Sequence, residues 1–481
     1  LDDKSAFRSC GACLLLCGDG NHPKNRSVDG EHSRSVSTKG RRNFVGRADL
    51  IVHNSETLFS AGGYMWASIR RCGWVLVLLF LLGLLLPVRG MAAADVPSDT
   101  PAGRTRTYYI AAEEIDWNYI PDGKDMMMTR AFDPYARVFT EHAADRIGCT
   151  YHKAVFREYT DDSFRTLKPR PAELEHMGLL GPVIRAEVGD TIKVVFRNNA
   201  SFPFSLHPHG VAYTRDSEGA MYGDGMDHPE ADGLVPPGKT HVYTWFAREQ
   251  AGPGPQDGSS VVWIYHSHNY EPKDVNAGLV GPIVITRRGM ARPDGSPKDI
   301  DHEFFALFMI VDENQSQYLD QNVRAHVPDP AKLNRLELVP ADPDGNADLP
   351  LGRGFALSNL KFTINGYMYG NGPIMTMRKG EHVRWYVMTM GNGFNFHTPH
   401  WHGNLVSVRG QYMDVIPTIG PAQFVTADMV PDMAGTWMFH CHVDDHMKGG
   451  MQTMYRVLDS GIKNTTVASG VSASPAQHQS R

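Results

Sequence analysis

Four short segments carry histidine at every second position: His207-Pro208-His209, His266-Ser267-His268, His400-Trp401-His402 and His440-Cys441-His442. On a β-strand, residues i and i+2 project to one face. Each segment therefore offers two imidazoles side by side and turns its middle residue the other way. Neutral imidazole ligates Cu, Zn, Fe and Ni. With 22 histidines in the chain, one such pair is expected by chance. Four pairs at matching places in two halves call for a metal.

The last pair belongs to a more specific cluster. His440-Cys441-His442 is followed by His446 and Met451, and His397 lies just before the third pair. Two His and one Cys in a trigonal array, with a weak axial Met, make a blue-copper site. Cys441 and His446 supply two ligands, Met451 the axial one and His397 the second imidazole. If Cys441 faces that site, His440 and His442 face the opposite side. The backbone then joins a one-electron site directly to a second metal centre.

The elements that must position these residues are strands. From Thr107 to Ile285 short β-branched and aromatic runs alternate with turns, as in Thr191-Ile192-Lys193-Val194-Val195-Phe196. Such spacing predicts sandwiches or barrels. A Pro/Gly-rich linker, Arg287 to Pro297, precedes similar strands that resume at Glu303. A loop rich in Asp, Pro and Gly (Pro340 to Gly354) interrupts the second half. The halves read as an internal repeat. Val188-Gly189-Asp190-Thr191 leads to the first His pair, and Lys379-Gly380-Glu381-His382 leads to the third.

The first 94 residues read differently. Met65 opens a stretch with Arg70 and Arg71, an apolar run from Trp74 to Leu86 and small residues at Ala92-Ala93-Ala94. This is the pattern of a cleaved signal peptide, with an apolar core short for a membrane span of roughly 20 residues; an uncleaved anchor is the alternative. The paired arginines leave twin-arginine export open beside the general route. Residues 1–64 are read as a non-native upstream or disordered segment, 65–94 as the signal peptide, 95–290 and 298–458 as the two domains, and 459–481 as a disordered tail. The product is expected to be secreted or periplasmic, with no membrane association after cleavage. The 12 basic and 7 acidic residues of the first 94 leave 35 basic and 46 acidic in the remainder, a formal charge of −11. Such a chain lacks the basic footprint of a nucleic-acid binder. Beyond residue 94 only Cys149 and Cys441 remain. An exported protein could pair them, but with Cys441 engaged by metal, Cys149 is expected to be a buried free thiol.

The motifs His397-Thr398-Pro399-His400-Trp401-His402-Gly403 and His440-Cys441-His442-Val443-Asp444-Asp445-His446-Met447-Lys448-Gly449-Gly450-Met451 resemble those of the multicopper oxidases. The likeness is strongest to the ceruloplasmin and hephaestin branch. Phe156-Arg157-Glu158-Tyr159-Thr160-Asp161, Leu180-Gly181-Pro182-Val183-Ile184-Arg185-Ala186-Glu187-Val188-Gly189-Asp190 and Ile264-Tyr265-His266-Ser267-His268 carry it, over about residues 107–458. The resemblance implies an all-β chain of two cupredoxin-like Greek-key domains and four coppers. A type 1 copper takes His397, Cys441, His446 and Met451; a type 2 copper takes His207 and His400. A type 3 pair takes His209, His266, His268, His402, His440 and His442. It implies an oxidase, laccase-like or ferroxidase-like, that takes four electrons singly from a phenolic, small organic or metal-ion donor and reduces O₂ to water. In the first domain Phe204, Ser267 and Leu279 stand where His397, Cys441 and Met451 stand, so only the second domain keeps a blue copper. Each domain supplies four cluster histidines, so two-domain relatives complete the cluster between domain 1 of one chain and domain 2 of the next; a homotrimer is the expectation.

The resemblance also bears on the donor. Ceruloplasmin-like iron oxidation uses an Asp just before the type 1 His, matched by Asp445, and a Glu and a His whose places, aligned through Ile364-Asn365-Gly366, hold Leu357 and Phe362. Glu218 falls where ceruloplasmin has a Glu linked with proton delivery. Asp224, Asp227, Glu230 and Asp232 form a candidate Ca²⁺ loop without a full ligand pattern. Alternatives are a ferroxidase, a copper nitrite reductase and a non-catalytic cupredoxin binding module.

Overall fold

Alternation of apolar and polar residues builds the strands. In Thr191–Asn198, Ile192, Val194 and Phe196 are fully buried, while Lys193 turns to solvent. That is the period-2 signature of a sheet with one face on a core. The computed structural model describes residues 103–222, 231–336 and 354–459, all within one unit, Met91–Arg481. The upstream stretch, the signal-peptide assignment and residues 460–481 lie outside the described residues.

Two sandwiches repeat one plan. In the first, a five-stranded sheet runs Thr150–Tyr159, Thr105–Asn118, Thr191–Asn198, Thr240–Phe246, Ala212–Tyr213. It faces a four-stranded sheet, Ile184–Glu187, Val280–Thr286, Ser260–His266, His207–Pro208. In the second, a six-stranded sheet, Leu360–Ile364, His302–Asp312, Val383–Thr389, Phe424–Met429, Val406–Val408, Gln411–Met413, accompanies Met375–Arg378, Gln452–Leu458, Gly435–Cys441, Pro399–Trp401. Each half contains the same two parallel pairings: Thr105–Asn118 beside Thr191–Asn198 and His302–Asp312 beside Val383–Thr389, then Ile184–Glu187 beside Val280–Thr286 and Met375–Arg378 beside Gln452–Leu458. The all-β, two-sandwich cupredoxin-like class expected from the sequence is the one observed. Among the described residues no helix is long and apolar enough to cross a membrane.

The halves are locked together by buried polar bonds. Lys153, from the first half, meets Glu313, from the second, at 2.5 Å with both side chains fully buried. Arg384 holds Asp428 and reaches across to Ser259 and Ser260 at 2.7 and 2.8 Å. Arg185 pairs with Glu303 at 2.9 Å. Breaking such pairs leaves an uncompensated buried charge, so the relative placement of the two halves is strongly specified.

His176 adds a pH-sensitive contact at the same seam. It is buried, with the Nδ1 proton directed to the Glu173 carbonyl at 2.9 Å and Nε2 accepting the Phe305 N–H at 3.0 Å. Burial holds its pKa down to about 4. An unfolded imidazole titrates near 6.5. As pH falls the unfolded chain therefore takes up the proton first, and stability drops between about pH 6.5 and 4 by about 3 kcal/mol from this group. His176→Gln, whose amide oxygen can accept from Phe305, should flatten that part of the slope. Urea midpoints of both proteins at neutral and acidic pH measure the difference; identical slopes would contradict it.

Candidate metal centres

The strand ends place the paired histidines. His207 lies opposite His266 in one antiparallel pair, and His400 opposite His440 in the other. Two His-x-His segments on neighbouring strands thus converge in each half. The glycines that follow, Gly210 and Gly403, have positive φ and lie flat on Trp263 and Trp437, where a Cβ would collide with the ring. A bulkier residue there would displace the strand end that carries the paired histidines.

The donor atoms form three groups. His397 Nδ1, Cys441 Sγ and His446 Nδ1 lie together, with Sγ 3.8 and 3.7 Å from the two nitrogens and the nitrogens 3.3 Å apart. All three residues are buried, as is Met451. Asn395 Oδ1 lies 3.2 Å from His397 Nε2, which fixes the proton there and turns the Nδ1 lone pair to the site. The Thr398 N–H points to Cys441 Sγ at 3.5 Å. Burial, aided by His446, holds His397 down to about 3, and burial holds His446 down to about 4. Both rings are therefore neutral, the form that ligates. Two imidazoles, one thiol and a buried thioether nearby are the donor set that suits copper.

The second group is His400, His402 and His440, with His440 Nε2 3.1 Å from both His400 Nδ1 and His402 Nε2; the His442 ring lies 5.2 Å from that of His400. The third is His207, His209 and His266, with His209 and His266 Nε2 atoms 3.1 Å apart and the His268 ring 5.1 Å from that of His207. His266 and His440 are oriented alike, each Nδ1 on the carbonyl of the following residue, at 3.0 and 2.8 Å. Burial lowers the pKa of His209 and His440 to about 4. The eight histidines therefore assemble as two groups of four. Among the described residues, no candidate metal group of three or more mixes first-half with second-half histidines; His207 falls in a group from the first half and His400 in one from the second. The second-half group opens into a cavity of about 590 Å³ lined by His400, His402, Tyr412, Asp414 and Asp428.

The remaining predicted residues fall differently. Asp445 is exposed on the helix Asp444–Lys448, beside the buried His446. Leu357 and Phe362 are buried, and the Phe362 ring packs on His446 at 5.7 Å. The Glu218 carboxylate is turned to Arg215 and Tyr222, at 3.3 and 3.0 Å, and it is the Glu218 carbonyl that His207 Nδ1 meets, at 2.6 Å. Asp232 is buried and accepts from the Gly219 N–H; Asp224, Asp227 and Glu230 lie outside the described residues. Cys149 is a buried free thiol on the Thr140 carbonyl. Two carboxylates that the sequence did not single out stand beside ligand-type histidines: Asp414, 3.7 Å from His400, and Glu271, 3.3 Å from His268. Glu271 could have been found from its i+3 spacing to His268; nothing in the sequence links Asp414 to His400.

Profiles described as multicopper oxidase match residues 175–289 and 350–461. The chain is 42% identical over 357 residues to "Ferroxidase HEPHL1" of Mus musculus, covering 73% of this chain and 29% of that protein. It is 40% identical over 368 residues to mouse "Hephaestin" (76% and 30%) and 38% identical over 360 residues to mouse "Ceruloplasmin" (73% and 31%). It thus spans about three-tenths of the length of these relatives.

Proposed function

The chain belongs to the multicopper oxidase family, and from that membership we propose that it oxidises a small reductant in one-electron steps and passes the electrons to O₂. The observation that carries this reading is the His397, Cys441, His446 group standing one peptide away from His440 and His442. Copper, when bound by His397, Cys441, His446 and Met451 and by the eight paired histidines, supplies the one-electron chemistry and the reduction of O₂ to water. The protein does the rest. The buried, neutral His397 and His446 imidazoles offer lone pairs at fixed positions, Cys441 provides a covalent route from one group to the other, and the Glu218 carbonyl aims His207. We assign cluster ligands alone to the domain 95–290, and both the blue-copper and the remaining cluster ligands to 298–458. Because each candidate group of three or more histidines draws on one half alone, domain 1 of one copy completes its site on domain 2 of the next, in a head-to-tail ring of three. Export to the cell exterior or periplasm belongs to the same reading.

For the reductant, the buried Leu357 and Phe362 favour a phenolic or other small organic donor, since neither can hold a hard cation. A ferroxidase is the second reading. It is favoured by Asp445, exposed beside the buried His446, with Asp444 and Asp133 close enough that, after burial, the three charges help push the Tyr135 pKa up. A nitrite reductase fits less well, because Ser267 replaces the cysteine that the first domain would need. Oxygen uptake by the copper-loaded protein decides. A phenol should sustain uptake with a higher kcat/KM than ferrous iron; the reverse order selects the ferroxidase. Full copper content with no uptake from any reductant would leave only a binding module.

A further inference from the structure

The first half keeps the frame of a blue-copper site whose ligands are gone. Equivalent hydrogen bonds fix the correspondence. The Ser205 N–H donates to Ser267 Oγ at 3.0 Å as the Thr398 N–H does to Cys441 Sγ at 3.5 Å. The Ser267 N–H donates to the Leu279 carbonyl as the Cys441 N–H does to that of Met451, both at 3.1 Å. Ser267 thus holds the place of Cys441, Leu279 that of Met451 and Phe204 that of His397. A short helix follows in each half, Glu271–Ala277 and Asp444–Lys448. In the second half that helix brings His446 Nδ1 to 3.7 Å from Cys441 Sγ. In the first it brings Asp274 to Ser267, whose hydroxyl donates to Asp274 Oδ2 at 2.8 Å. A contact that metal would bridge in one half is a direct hydrogen bond in the other.

Asp274 is fully buried, and its donors converge from three directions. Besides Ser267, the Tyr270 N–H donates to Oδ2 at 2.9 Å and Gln317, from the second half, donates to Oδ1 at 3.1 Å. A carboxylate without solvent persists where such donors satisfy it. The location matters because sheet pairing ends at His266. Ser267 and His268 lie past the ladder, where the Ser267 N–H bond to the Leu279 carbonyl and a bridge from His268 to Ala220 are joined by side chains: His268 N–H donates to Ser205 Oγ at 2.9 Å, and Ser267 is anchored by Asp274.

We propose that the Ser267–Asp274–Gln317 chain replaces the lost blue copper as the fixture of this strand end, making Asp274 a positioning residue for His266 and His268. It would fix the angle at which the first-half imidazoles meet the shared cluster and tie that angle to the second half. The proposal rests on these histidines being cluster ligands.

The test compares copper-loaded full-length wild type with Ser267→Ala, Asp274→Ala and Asp274→Asn. Copper per chain, the type 2 paramagnetic signal, the near-ultraviolet absorption of the coupled pair and the blue absorption are read together. All blue-site ligands lie in the second half, so the blue absorption reports folding in every sample. Ser267→Ala and Asp274→Ala should keep the blue absorption, lose the coupled-pair absorption and bind cluster copper about 10–100-fold more weakly. Asparagine can still accept from Ser267 and Tyr270 while Gln317 turns its amide, so Asp274→Asn should restore the cluster signals and turnover. Unchanged cluster signals in both alanine variants would overturn the proposal. So would an Asp274→Asn protein with full copper and lost turnover, which would make the carboxylate a charge or proton group. A wild type with blue copper but no cluster signals would instead remove the underlying reading.

Discussion

Replacing Cys441 with serine should abolish the blue absorption, lower copper content by one per chain and leave the type 2 signal in place. Cys441 Sγ is the only thiol near His397 and His446 among the described residues, since the other, Cys149, is buried on the Thr140 carbonyl. Serine fits the same volume and can keep the Thr398 N–H contact. It cannot supply the soft thiolate on which the colour and the one-electron potential of such sites depend. His207, His266 and His440 keep their supports, because their orienting bonds run to the backbone carbonyls of Glu218, Ser267 and Cys441 itself. Loss of a partner that merely orients a ligand costs about 10–100-fold, so losing the ligand should cut reductant-driven oxygen uptake at least about 100-fold. Optical spectra, paramagnetic resonance and oxygen uptake on one preparation check all three statements. A blue Cys441→Ser protein would show that the site lies elsewhere.

The grouping of the candidate ligands was legible in the sequence because strand geometry is local. A period of two puts His400 and His402 on one face whatever the rest of the chain does, and Cys441 must then face away from His440 and His442. The one-sided alternation of Thr191–Asn198 was equally legible. Val280–Thr286 carries no such signal, being buried throughout: one face lines its own sandwich and Val280 and Val284 join the core shared with the other half. What orients the ligands was not legible, because it arrives from distant segments or through the main chain. Asp414 reaches His400 only through tertiary pairing, and Gln317 reaches Asp274 across the two halves. Glu218 was singled out for its carboxylate, yet Arg215 and Tyr222 draw that group aside and leave the carbonyl on His207.

Two inactive variants should restore activity to each other when co-expressed. His209→Ala with His266→Ala removes ligands from the first-half group; His402→Ala with His440→Ala removes them from the second. Each alone should lose the coupled-pair absorption and nearly all oxygen uptake, since neither leaves a complete set. In the proposed ring every cluster joins the first half of one copy to the second half of the next. Random assembly of equal amounts then leaves about a quarter of the junctions with both halves intact, and about a quarter of wild-type turnover. The surfaces around the two groups are suited to such a junction. Leu405, Tyr412, Val430 and Met433 are each more than half exposed beside the second-half cavity or on its adjoining loop, and Tyr222 and Tyr270 are about half exposed near the first-half group. Clustered exposed apolar and aromatic side chains of this kind mark association surfaces. Each intact junction also keeps its own blue-copper group, because that group lies in the same half as the intact His402 and His440. Electron delivery therefore needs no further partner. Co-expression without recovery, from variants that each still show the blue absorption, would mean that one chain closes its cluster alone, and the separation of the two histidine groups would then have to be bridged by movement within the chain.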